Sequence, residues 1–259
     1  MSAEITLPFE LDVLLPRDAR EYEIDIELSG ETEEEDALKA SDEMVRLFAL
    51  AVNEQMLSKG RGEPIIARME LSESFVEDAG QRWRYLYRAQ SVPPSSYFVL
   101  LALLAQTRFA EAPLQHVSIR ARGERAGFLD TRELMLLDRN VPERIAELPF
   151  TVDEGERVES NFVAITMRFR ERVSLELFEV IAEAFNIWDH HVILGGFEFD
   201  FREQEDFSPE FGRTAHLSPN VVEHALENFS GAESACNAIV NFGARLHAEG
   251  HQLQSITIE

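Results

Sequence analysis

A chain of 259 residues, 45% hydrophobic and 28% charged, has enough apolar material for one large core or two ordinary ones. Its formal charge of −24 is spread over both halves, which argues against nucleic-acid phosphates or anionic lipid as partners and favours basic ones at long range. The apolar run 97–105 falls short of the roughly 18 residues that span a bilayer, residues 1–10 carry acids but no basic leader segment, and a lone Cys236 excludes an internal disulfide framework and suits a reducing cytoplasm.

The first predicted elements come with a repeat. Leu7-Pro8-Phe9 recurs as Leu148-Pro149-Phe150, and at the same spacing Ile24-Asp25-Ile26-Glu27-Leu28 falls on Ile165-Thr166-Met167-Arg168-Phe169. Both five-residue runs alternate apolar and polar with period two, the pattern of a half-buried strand. An acidic insertion, 31–40, follows in the first half only. Then comes a helix with Met44, Phe48, Ala51, Val52 and Gln55 on one face, Ser41 placed as its N-cap and Glu43 in its first turn. A strand over 64–71 and another over 82–90, with Trp83, Tyr85 and Tyr87 on one side, lead to a helix over 95–111 and a last strand around Val117-Ser118-Ile119. The stretch 123–147 is scarce in Gly and Ser and reads as a packed connector, with Leu134 to Leu137 forming a short helix or an extra strand.

The second half repeats the order. Ser174 stands as N-cap and Glu176 in the first turn of a helix carrying Leu177, Ile181, Ala184, Phe185 and Trp188. Strands are predicted over 194–201, where Phe197, Phe199 and Phe201 alternate with charges, and over 221–229. Ser218-Pro219 could equally start a short helix there, but the repeat demands a strand. A helix over 232–249 and a strand through Gln254-Ser255-Ile256 complete it. The fold class expected is therefore α+β: a tandem duplication of a ferredoxin-like β-α-β-β-α-β unit, with antiparallel sheets and helices on one face. The first copy spans 1–122, the connector 123–147 and the second copy 148–259. The two Leu-Pro-Phe segments are each expected to add a short edge strand.

In that arrangement the strands lie in the order fourth, first, third, second. The sheet face away from the helices then shows Asp25 and Glu27 between Arg120 and Arg122 on one side and Arg84 and Arg88 on the other, with Arg68 and Glu70 at the edge. The second copy inverts the signs, with Arg168 and Arg170 central, Glu259 and Glu223 beside them, and Glu198 and Asp200 beyond. Such alternation reads either as a solvated face held by internal ion pairs or as an open face for a partner, and Asp25, Glu27, Arg84, Arg88, Arg168 and Arg170 are the binding candidates. Two sheets facing each other with complementary charge would be another way to use it.

Chemistry is harder to find. Of seven histidines, His190, His191, His216, His224, His247 and His251 fall in the second half, but none has a recognised ligand spacing. His190 and His191 are the weak metal candidates, and the dipole at a helix C-terminus accounts for them without a metal. Cys236 reads as a buried structural thiol, Gly195-Gly196 as the opening of a strand, and no catalytic residue or cofactor is assigned. Aromatic Trp83, Tyr85 and Tyr87 are needed to cover the helices, and the acidity of the chain argues against RNA. The leading expectation is a non-catalytic acidic cytoplasmic binding protein, bacterial in type, acting as an inhibitor, immunity or adaptor protein on a basic protein partner. The alternatives are a small-ligand or regulatory protein with its site at the seam between the copies, and a metal-dependent enzyme built on the histidine-rich half. Oligomeric state is left open.

Overall fold

The computed structural model describes residues 7–16, 21–29, 34–57, 65–77, 80–106, 114–121, 128–137, 142–155, 162–197, 211–227, 229 and 233–259. In the first half these form β1 (Glu10–Pro16), β2 (Glu21–Ser29), α1 (Glu34–Asn53), β3 (Ile65–Glu77), β4 (Gly80–Gln90), α2 (Tyr97–Gln106) and β5 (Leu114–Ala121). The connector supplies β6 (Phe128–Asp130) and α3 (Thr131–Met135). The second half forms β7 (Thr151–Glu154), β8 (Phe162–Phe169), α4 (Leu175–Ile193), β9 (Arg213–Ser218), β10 (Val221–Glu227), α5 (Glu233–Ala248) and β11 (Leu253–Ile258). The described chain is thus a mixed α+β protein with two sheets and five helices.

The sheets run β3-β4-β2-β5-β1-β6 and β7-β11-β8-β10-β9. In each, the strand that leads into the first long helix is central and antiparallel to both neighbours. The expectation of purely antiparallel sheets needs one correction. The strands that follow the two Leu-Pro-Phe segments, β1 and β7, join β5 and β11 in parallel, because the chain leaves that corner in the direction of the last strand.

Period-two burial makes the strands what they are. Tyr22, Ile24, Ile26 and Leu28 of β2, with Trp83, Tyr85 and Tyr87 of β4, face the helices and are buried, while the charged residues between them face away. Helix α2 is buried from Tyr97 through Leu104 and α5 from Ser234 through Gly243, as befits helices covered on more than one side. The reason is that the helical layers of the two halves meet: α1 packs on α4, Gln106 of α2 reaches the Gly195 carbonyl, and Asn241 of α5 donates to the Met56 carbonyl. Sheet, helices, helices and sheet form successive layers around one continuous core. The two sheets therefore do not face each other.

Other expectations are corrected by local chemistry. Ser41 is no cap: α1 begins at Glu34, so residues 34–40 of the acidic insertion are helix, and Ser41 bonds the Leu38 carbonyl and the Tyr85 hydroxyl from mid-helix. Gln55 lies past the helix with φ +57°. The strand expected from residue 194 is replaced by a helix end. Gly195 (φ +68°) and Gly196 donate to the carbonyls of Val192 and His191, closing α4 in a Schellman turn. A Cβ at Gly195 would stand 2.6 Å from Gln106, so the turn needs glycine for space as well as for φ. The edge strand is β9 instead, while residues 198–201 lie outside the described residues, as do Arg108, Phe109 and Arg122. Residues 131–135 of the connector are helix, capped by Asp130 and Glu133 in a capping box. Residues 221–227 are strand, not helix.

Candidate functional site

The outer face of the first sheet is a lattice of ion pairs. Asp25 on β2 lies opposite Arg84 on β4, and Glu27 lies opposite Arg82. Asp25 accepts from Arg84 Nε at 2.7 Å and from Arg82 Nη2 at 2.5 Å, while Arg84 also donates to Glu73 at 2.8 Å. Arg88 pairs with Glu21 at 3.0 Å, Glu27 with Arg82 at 3.2 Å, and Arg120 with Asp12. The side chain of Asp25 is only 4% exposed beneath these guanidiniums. Burial opposes its charge, but the hydrogen bonds from Arg84 and Arg82 outweigh that and hold its carboxyl below the usual range. The arrangement can neutralise and stiffen a face, and Arg82, Arg84, Arg88 and Arg120 are each paired with a carboxylate of the same chain.

Arg168 and Arg170 have a different setting. Arg168 lies opposite Val221 and Ser255, and Glu223 lies opposite Thr166, so the cross-strand partners expected from the inverted signs are out of register. Among the described residues neither arginine pairs with a carboxylate, and Arg170 meets only the Gln252 side chain, at 3.4 Å.

The histidines separate into two groups. His190 and His191 end α4, and each Nδ1 donates to the carbonyl four residues earlier, Asn186 and Ile187, at 2.8 Å. His190 packs on Phe211, whereas His191 is fully buried beside Phe197 and its Nε2 meets no hydrogen-bond partner among the described residues. Burial pushes the His191 imidazole down to about 4, with the Ile187 carbonyl opposing and His190 assisting. The two rings point into different surroundings, and no group of three or more His, Cys, Asp or Glu that could hold a metal occurs among the described residues. Cys236 is buried in α5.

One constellation was not anticipated from the sequence. His224 Nε2 lies 2.8 Å from Asp189 Oδ1, Thr214 Oγ1 lies 3.0 Å from His224 Nδ1, and the backbone N–H of Gly212 donates to Asp189 Oδ2 at 2.9 Å. With Asp189 accepting from Nε2–H, the remaining ring nitrogen accepts from the threonine hydroxyl. Hydroxyl, imidazole and carboxylate in line resemble a nucleophile–base–acid set. Here the ring is 1% exposed, stacked on Phe185 at 4.2 Å and covered by the Gly212 backbone, where a Cβ would stand 2.3 Å from Nε2. It ties α4 to the β9–β10 hairpin. The signal was present in the sequence: His224 alternates with Val222 and Leu226 on the apolar face of its strand, and Asp189 continues the stripe of Ile181 and Phe185.

An open cleft of about 600 Å³ lies where α4 begins against β9. Arg172, Val173, Leu175, His216 and Pro219 line it, together with Ser174 and Ser218. Phe178 stacks on His216 at 4.3 Å.

No protein-family model matches the sequence, and no curated protein matches it. Among solved structures the chain is distantly similar to a proposed glycine cleavage system transcriptional repressor, at 12% identity over 93% of this chain and 98% of that one, with a TM-score of 0.22. A protease from Helicobacter pylori is 10% identical over 96% and 79%, TM-score 0.24, and a conserved protein from Enterococcus faecalis V583 is 9% identical over 99% and 98%, TM-score 0.21. At such scores the function has to be argued from the chain's own residues. Among the described residues no helix is long and apolar enough to cross a membrane.

Proposed function

We propose that the chain is a tandem duplication of a ferredoxin-like unit, 1–122 and 148–259 joined by a packed connector, that serves as a non-catalytic cytoplasmic binding protein for a basic protein partner. Inhibitor, immunity and adaptor proteins are the types that fit. Support for the duplication is the shared strand order around β2 and β8, each sheet extended in parallel by the strand after a Leu-Pro-Phe segment.

The observation that carries the binding reading is the fate of the cations. Arg82, Arg84, Arg88 and Arg120 on the first sheet are each held by a carboxylate of the same chain, so none of the four is free for a polyanion, and the chain as a whole carries a formal −24. Such a field steers basic proteins and repels polyanions. In the Thr214–His224–Asp189 set the imidazole and carboxylate are buried, and together they tie α4 to the β9–β10 hairpin, which favours a structural role. Association rates with small basic proteins, measured at low and high salt, test the reading. A fall of about tenfold or more with salt is expected; salt-independent association, or retardation of RNA or DNA by the protein, would sink it.

A further inference from the structure

We infer that the cleft at the start of α4 binds a small organic acid with a planar apolar body, a site that goes beyond the acidic-surface reading. The starting observation is a charge anomaly. In a chain of −24, Arg168, Arg170 and Arg172 recur at every second residue, and among the described residues none pairs with a carboxylate, in contrast to the arginines of the first sheet. Arg172 lines the cleft. The nearby acids do not neutralise it there: Glu176 turns onto its own backbone N–H and the Ser174 hydroxyl, and Glu171 is exposed beside it in the chain.

The remaining lining sorts into committed and available groups. Ser174 Oγ accepts from Leu177 N at 3.1 Å, and Ser218 Oγ donates to Asn220 at 3.1 Å. The first turn of α4 is therefore satisfied by its own side chains, and the site does not depend on the helix end. Available are the Arg172 guanidinium, the part of the His216 ring not against Phe178, and an apolar rim. Leu175, 67% exposed, forms that rim with Val173 and Pro219. A guanidinium grips a carboxylate in two parallel hydrogen bonds. An aromatic body would extend the Phe178–His216 stack and cover Leu175. The volume suits a ligand of that size.

Titration of the full chain with 2-naphthoate, with uncharged 2-naphthamide as its counterpart, reads the site through the imidazole NMR signals of His216. Saturable shifts are expected with the acid, and binding about tenfold weaker or worse for the amide and for Arg172→Gln, the loss of one charged hydrogen-bonding group. Arg132→Gln on α3 of the connector, which does not line the cleft, should leave the affinity within about twofold. Arg172 is exposed, so its variant keeps the wild-type fold, checked by circular dichroism. Equal binding of acid and amide, equal losses in the two variants, no saturation, or tighter Arg172-dependent binding of inorganic phosphate would each overturn the inference.

Discussion

At matching places in the two sheets, Asp25 lies between Arg84 and Ser118, whereas Thr166 lies between Glu223 and Thr257. Strand order around the two residues is the same, yet one is an acid locked between arginines and the other is an uncharged threonine beside a glutamate. Beneath them the contrast reverses. Under the first sheet, uncharged hydroxyls meet: Tyr85 with Ser41 at 2.6 Å and Tyr87 with Tyr97 at 2.7 Å, with burial raising the Tyr85 phenol to about 12. Under the second, an imidazole and a carboxylate meet, Trp188 donates to the Ala235 carbonyl at 2.8 Å, and His191 is buried neutral. Backbone pairing and apolar alternation are what the two halves share. Where each half places its polar interactions is decided separately, outside in the first and inside in the second.

The largest expected effect tests the inside. Asp189→Ala leaves His224 and the Gly212 N–H without their buried partner, and about 3–5 kcal/mol should be lost in denaturant unfolding. Ser41→Ala removes a neutral bond to Tyr85 and should cost about 1–2 kcal/mol. If the two losses are equal, the second interior is not the more polar of the pair in energetic terms.

Acid should then distinguish the halves. His191 has its folded-state value depressed to about 4 from an ordinary 6.5. Between those values the unfolded chain binds a proton that the folded chain refuses, so this contribution is fully present above about pH 6.5 and is lost as pH falls toward 4. The total is about 3 kcal/mol. Urea midpoints at pH 7 and pH 4.5, for the wild type and for His191→Leu, isolate it, since carboxylate effects are common to both. Identical pH dependence of the two proteins would remove His191 from the argument. His116 of the first half is only half-buried and offers no counterpart.

Next in size is the matched outer pair. Asp25→Ala removes the buried carboxylate that Arg82 and Arg84 share, leaving them with Glu27 and Glu73, and should cost about 2–3 kcal/mol. Thr166→Ala removes only a cross-strand threonine contact and should cost less than about 1 kcal/mol. Chemical denaturation of both variants gives the difference directly, and similar values would mean that the lattice on the first sheet is ornamental.

Legibility in the sequence followed the same division. Alternation in 24–28 and 165–169 and the apolar stripes of α1 and α4 located strands, helices and their buried faces, because burial acts on every second or every third-to-fourth residue. Outward placement of Asp25, Glu27, Arg84 and Arg88 followed from that parity. Register did not: whether Arg168 meets Glu223 or Val221 depends on how far β10 is slid along β8, a strand distant in the chain, and no local period reports that offset. Gly195-Gly196 misled because strand openings and helix ends both use glycine, and only the approach of Gln106 and Leu103 from the first half shows which is present. The Asp189–His224–Thr214 line joins three elements: local periods put Asp189 and His224 on buried faces but do not report that the two meet, and the cleft depends on how β9 meets α4.

The smallest effect tests whether the outer face of the second sheet is free of stabilising duty. Arg168 is exposed, lies opposite Val221 and Ser255, and pairs with no described carboxylate. Arg168→Gln should therefore change stability by less than about 0.5 kcal/mol, and the change should be insensitive to salt because no ion pair is lost. Arg88→Gln, which removes an exposed pair with Glu21 at 3.0 Å, should cost up to about 1 kcal/mol and less as salt screens the pair. Thermal unfolding at low and high ionic strength compares them. A salt-dependent loss at Arg168 larger than that at Arg88 would show that its charge is used for folding. It would then no longer be surplus charge, and the contrast between the two faces would have to be redrawn.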